Sequence, residues 1–103
     1  MNYCEIDKAM SSKQNEYKVT MKENVIKHFA PIQGSLSVLQ ARIMGLSYPD
    51  FLRYVRDTYN ARLAGVGHKY PAIYFPDAAA ASKFALILDK RFKEILLQLN
   101  KTL

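Results

Sequence analysis

The sequence predicts a mainly α fold of about four helices, with a paired-helix unit at residues 35–60 and one short extended segment near 70–75. Three observations predict it. Apolar residues recur every three or four positions along three long stretches. Ser, Asp and Gly stand at the ends of those stretches, where caps and stops belong. Tyr70 to Phe75, Y-P-A-I-Y-F, is short, aromatic and β-branched, and Pro76 closes it.

Residues 1–10 read as a loosely ordered lead-in or a short helix. Ser11 and Gln14 have capping-box spacing. Tyr17, Met21, Val25 and Phe29 then recur every four residues, with Lys18, Lys22, Glu23 and Lys27 opposite, so a helix is expected up to Pro31. A rival reading takes Tyr17 to Lys22 as a strand, because Tyr17, Val19 and Met21 alternate with Lys18, Thr20 and Lys22. The four-residue spacing runs longer, which favours the helix.

Pro31 to Gly34 is a break, and Ser35 suits an N-cap. Leu36, Leu39, Ile43 and Met44 form the face of the next helix, which Gly45 stops. Ser47 caps a further helix with Pro49 in its first turn and Asp50 three residues on. Phe51, Leu52, Tyr54, Val55 and Tyr59 are its apolar residues, and Arg53, Arg56 and Asp57 line the remaining face. Residues 60–69, with two glycines, read as a loop. The extended segment near 70–75 needs a pairing partner, either the lead-in or a second copy of the chain. Asp77 caps the last helix, which runs to about Asn100. Ala85, Leu88, Phe92, Ile95 and Leu99 keep a spacing of alternating three and four along it.

The chain has 103 residues, enough for one domain, 1–103, with its own core. Half the residues are apolar and 23% are charged, a globular composition. The net charge is +6, and residues 31–70, with four Arg and one Lys against two Asp, carry +3 of it. A basic surface favours nucleic acid or another acidic partner. Cys4 is the only cysteine, which fits a reducing compartment. The first residues lack the pattern of a secretory signal, and no apolar run is long enough to span a bilayer, so the expected location is the cytoplasm, with no membrane partner.

Residues 37–56 resemble the helix-turn-helix of small DNA-binding regulators. That motif commonly places Gln before a small Ala, a Gly four residues after the Ala, and an apolar residue six after the Gly. Here these are Gln40, Ala41, Gly45 and Phe51. The resemblance implies that the second helix enters the major groove with Ser47, Tyr48, Arg53 and Arg56 outward. Arg42, on the first helix, joins them as a candidate nucleic-acid contact. The run G-L-S-Y-P-D-F-L-R at Gly45 also resembles part of ribbon-helix-helix repressors, whose strand would here be Lys18-Thr20-Lys22.

Chemistry is not indicated. No His, Cys or carboxylate set has metal-ligand spacing, so no catalytic residue, metal or cofactor is assigned. His28 sits beside Phe29 on an apolar stripe, and His68 lies in the Gly65-Val66-Gly67 loop. Five of the seven tyrosines, Tyr48, Tyr54, Tyr59, Tyr70 and Tyr74, crowd among arginines, a pairing that interface hot spots use.

The expected protein is therefore a small non-enzymatic nucleic-acid-binding protein, a candidate regulator. The alternative is a protein-interaction module or inhibitor of the kind a phage or other mobile element encodes, binding through its Tyr/Arg surface or last helix. In either case the last helix carries more apolar surface than one stripe. Leu86, Ile87, Phe92, Leu96 and Leu97 are the expected homodimer contacts.

Overall fold

Alternation, rather than helical spacing, governs the first part of the chain. The computed structural model describes residues 3–8, 15–28, 36–65 and 71–102. Within them Cys4–Lys8 forms strand β1 and Tyr17–Met21 forms β2. The two pair antiparallel, with Cys4 opposite Met21 and Lys8 opposite Tyr17. One face of the pair is apolar: Cys4, Val19 and Met21 are buried and Ile6 is half-buried. The other face carries Glu5, Asp7 and Lys18, and there Thr20 donates its hydroxyl hydrogen to Asp7 Oδ2 at 2.9 Å. This is the period-2 pattern of a half-buried strand.

The expected helix over 11–29 therefore shrinks to α1, Glu23–His28. The reason is arithmetic. A spacing of four is a multiple of two, so Tyr17 and Met21 share a face in a strand as they would in a helix. Tyr, Val and Thr at 17, 19 and 20 prefer the pleated surface, and β1 supplies the partner. The lead-in is likewise an ordered strand at residues 4–8. The expected caps at Ser11 and Ser35, Phe29 and the break at Pro31 to Gly34 lie outside the described residues.

The helix pair follows the sequence closely. α2 spans Leu36–Met44, and α3 spans Tyr48–Tyr59 with Ser47 as N-cap. Phe51, Val55 and Tyr59 repeat every four residues and are all buried. Asn60 ends α3 in the left-handed conformation at φ 58°, which Asn tolerates better than most residues.

Two further strands follow. β3 is Arg62–Ala64, in a stretch expected to be loop, and β4 is Ala72–Tyr74. They pair antiparallel, Leu63 opposite Ile73. The extended segment thus finds its partner in β3 and not in a second copy. It also touches the first pair: Tyr17 and Phe75 exchange two backbone hydrogen bonds of 2.9 and 2.7 Å. The two antiparallel pairs are joined at that point in the spatial order β1-β2-β4-β3.

α4, Ala78–Thr102, packs against β1, β2, α2 and α3. Asp77 caps it, its carboxylate accepting from the Ala80 N–H at 2.8 Å. Ala81, Phe84, Ala85, Leu88 and Phe92 form its buried stripe. Phe84 is the hub of an aromatic cluster. Its ring stacks on Phe75 at 5.3 Å and meets Tyr59 at 5.6 Å and Phe51 at 5.9 Å. Phe92 sits edge-on to Tyr3 at 4.8 Å, at the far end of the same stripe.

The chain is therefore mixed α/β. Among the described residues it has four helices and two antiparallel two-stranded pairs, and the mainly α expectation is corrected accordingly.

The join between the pairs has an ionic component. Glu16, just before β2, is 4% exposed, and Arg62 at the start of β3 grips its carboxylate with two hydrogen bonds of 3.0 and 2.8 Å. The same guanidinium lies over the Tyr74 ring at 5.1 Å. Arg62→Ala is expected to destabilise the fold, because the buried Glu16 carboxylate loses a bidentate partner. Urea unfolding of the variant checks this; an unchanged midpoint would show that the clamp contributes little.

Candidate nucleic-acid interface

The α2–α3 pair is built from a few local contacts. Gly45 adopts φ +72°, a conformation costly for residues with a Cβ, and so reverses the chain after α2. Its N–H bonds to the Arg42 carbonyl, and the Leu46 N–H bonds to the Ala41 carbonyl. Arg91 of α4 donates from Nη2 to the Met44 carbonyl at 3.0 Å, satisfying one of the open carbonyls at the end of α2. A Cβ at Gly45 would lie 3.0 Å from that same nitrogen. Ala41 is 3% exposed, part of the core.

The start of α3 is a reciprocal cap. Ser47 Oγ accepts from the Asp50 N–H at 3.3 Å. Hydrogen bonding from Ser47, with a further contribution from Arg53, holds the Asp50 carboxyl below its ordinary range. The folded-state value is lowered, so this contribution to stability is present above the unfolded carboxylate range. It is lost as the pH falls through the folded value, in the region below about pH 4.

The five sequence candidates divide by what they touch. Arg42 is exposed on the last turn of α2. Ser47 is exposed but serves the cap. Tyr48 is half-buried, its hydroxyl hydrogen-bonded to Ser37 Oγ at 2.7 Å. Arg53 and Arg56 face solvent, and each meets a carboxylate of its own helix: Arg53 pairs with Asp50, and Arg56 with Asp57 at 3.1 Å. The cationic face of α3 is thus laced with its own acids. The ribbon-helix-helix reading needs a strand directly before its first helix; here α1 stands between β2 and α2.

On α4, Leu86, Ile87 and Leu97 are 59%, 39% and 51% exposed. Leu96 packs partly against the core. Phe92 is 2% exposed and belongs to the core of its own chain.

Other chemistry finds little footing. Cys4 is 2% exposed, and burial, helped by Asp89, pushes its thiol well above the ordinary range. Tyr59, hydrogen-bonded to Tyr54 at 3.0 Å, is raised for the same main reason, burial. Among the described residues no three His, Cys, Asp or Glu gather as metal ligands, and no helix is long and apolar enough to cross a membrane. The His28 side chain, the His68–Lys69 loop, Tyr70 and the Leu99 side chain lie outside the described residues.

Sequence reasoning missed three things: the Arg91 contact to α2, the Glu16–Arg62–Tyr74 cluster, and a buried hydrogen bond from Gln40 Nε2 to the Val19 carbonyl at 3.0 Å. In the sequence Gln40 stands out only as a motif position, although a Gln among Leu39, Ala41 and Ile43 signals a buried polar contact.

Gly45→Ala is expected to destabilise the fold by about 1–2 kcal/mol, from the positive φ and the displaced Arg91. Ser47→Ala is expected to cost about 1 kcal/mol at neutral pH and less as Asp50 is protonated. Thermal melts at pH 7 and pH 3 check both, and a Gly45→Ala protein as stable as the parent would refute the strained-turn account. Cys4 is expected to react with a thiol reagent more than about tenfold more slowly than a free thiol until the protein unfolds. Comparison with protein-family models, with curated proteins and with solved structures finds no match.

Proposed function

We propose that this is a small non-enzymatic binding protein that engages nucleic acid through α2 and α3. The observation that supports it is the exposure of Arg42, Arg53 and Arg56 on two consecutive helices joined by a sharp turn, in a chain of net charge +6. The Asp50 and Asp57 partners do not forbid it. Both pairs are short-range, solvent-exposed and weak, and a phosphate can take the place of the carboxylate. Tyr48 is tied to Ser37, so phosphate contact rather than base reading by Tyr48 is the expected mode. The single, buried Cys4 agrees with a reducing compartment such as the cytoplasm.

A second reading rests on a different face. Leu86, Ile87 and Leu97 stand exposed on α4 among Lys83, Lys90 and Lys93. That face suits a protein partner, a second copy included. Sedimentation equilibrium at micromolar concentration separates the cases. A single species at 11.8 kDa excludes the homodimer, and a dimer lost in Leu97→Lys supports it.

The nucleic-acid reading is tested by a salt titration of binding to duplex DNA. Arg53→Ala/Arg56→Ala is expected to weaken binding by roughly 1–3 kcal/mol and to reduce the salt slope by about 2. Because both side chains are exposed, the melting temperature should change little. Unchanged affinity and slope in the double variant would reject the assignment to α3.

A further inference from the structure

β2 and β4 are joined at one end and splayed at the other. The Tyr17–Phe75 pair fixes an antiparallel register, in which the next bonded pair is Val19 with Ile73. That pair is not made. The Val19 carbonyl accepts from Gln40 Nε2 instead, a side-chain amide occupying the position of the Ile73 N–H. Along β4, alternate residues face alternate edges. Phe75 bonds toward β2, so Ile73 also turns its N–H and C=O that way, while Ala72 and Tyr74 face β3.

Between the two strands lies a cleft of about 310 Å³. One wall is Lys18, Val19 and Thr20, the other is Pro71 to Tyr74, and Leu36, Ser37 and Gln40 of α2 form the floor. Apolar surface from Leu36 and Ile73 meets the polar groups of Ser37, Thr20 and Gln40. The edge of β4 at Ile73 presents its backbone to the cleft. A polypeptide in extended form matches such a site, since its amides pair with a strand edge and alternate side chains drop into the floor.

We propose that this cleft is a peptide-binding site. A short extended segment of a partner protein adds to the β4 edge at Ile73, with one apolar side chain seated against Leu36 and Ile73. Gln40 holds the cleft open by keeping the Val19 carbonyl from Ile73. The site is independent of the arginines of α3, so it stands or falls separately from the nucleic-acid reading.

The test is a display selection of random seven-residue peptides on the full chain, with Ala72→Trp as the counter-target. Ala72 is exposed and lines the mouth, so the indole obstructs the cleft without entering the core. The expected result is enrichment of peptides with alternating β-branched residues. A synthetic enriched peptide should shift the amide resonances of Val19, Thr20, Ser37 and Ile73 and the side-chain amide of Gln40. It should bind Ala72→Trp at least tenfold more weakly, at an unchanged melting temperature, and lose binding when its backbone is N-methylated at alternate residues. No enrichment over the counter-target overturns the proposal. So does equal binding of the N-methylated peptide, a shift map confined to α4, or displacement of these same resonances by a single-stranded oligonucleotide instead of by peptide.

Discussion

Two backbone hydrogen bonds between Tyr17 and Phe75 are the constraint on which the rest of the architecture depends. Each antiparallel pair alone is a two-stranded ribbon, and such ribbons are marginal in water. The Tyr17–Phe75 contact makes them one surface, and the Glu16–Arg62 clamp holds it one residue further along. The contact also aims Phe75 inward. Its ring stacks on Phe84, and through Phe84 it meets Tyr59 and Phe51. One bridge between strands therefore decides where α4 lies and where α3 docks. The rings add roughly 0.5–1.5 kcal/mol per pair beyond their area, but only because the backbone has already placed Phe75.

Legibility in the sequence tracked the range of the interactions. α3 was readable because everything that defines it is local: Ser47 and Asp50 at its start, Phe51, Val55 and Tyr59 along one stripe, Asn60 at its end. The buried stripe of α4 was readable for the same reason, and Ala85, Leu88 and Phe92 are fully within it. The strands were not. β2 has a spacing that helix and strand share, β3 is three residues long, and the strand pairing is chosen by contacts far apart in sequence. The Glu16–Arg62 pair spans 46 positions and left no pattern to read.

Of the candidate site, the helix pair was legible and its partners were not. Gln40, Ala41, Gly45 and Phe51 drew attention as a motif, and each has a packing task in this fold. Gln40 satisfies the Val19 carbonyl, Gly45 turns beneath Arg91, and Ala41 and Phe51 are buried. Burial accounts for Ala41 and Phe51, chain reversal for Gly45 and the contact to β2 for Gln40, whether or not the protein meets DNA. The resemblance therefore bears on geometry. Function rests on the residues the geometry leaves outside, and on α3 the charged ones are two arginines and two aspartates.

That separation has a physical consequence for how the protein can be used. The core consumes the inner faces of α2, α3 and α4 and one face of β1 and β2. Among the described residues, the surfaces outside it include a charged one on α3, an apolar and lysine-bearing one on α4, and a cleft between β2 and β4. Their exposed residues are distinct. Arg53 lines neither the cleft nor the α4 face, and Leu97 and Ile73 lie on different elements. Substitutions at exposed positions on one surface should add with those on another, since separated sites without shared partners couple weakly. Gln40 is the exception, because it joins α2 to β2 and also floors the cleft. A change there alters the helix pair and the cleft together, so it cannot distinguish their roles, whereas Ala72 and Arg53 can.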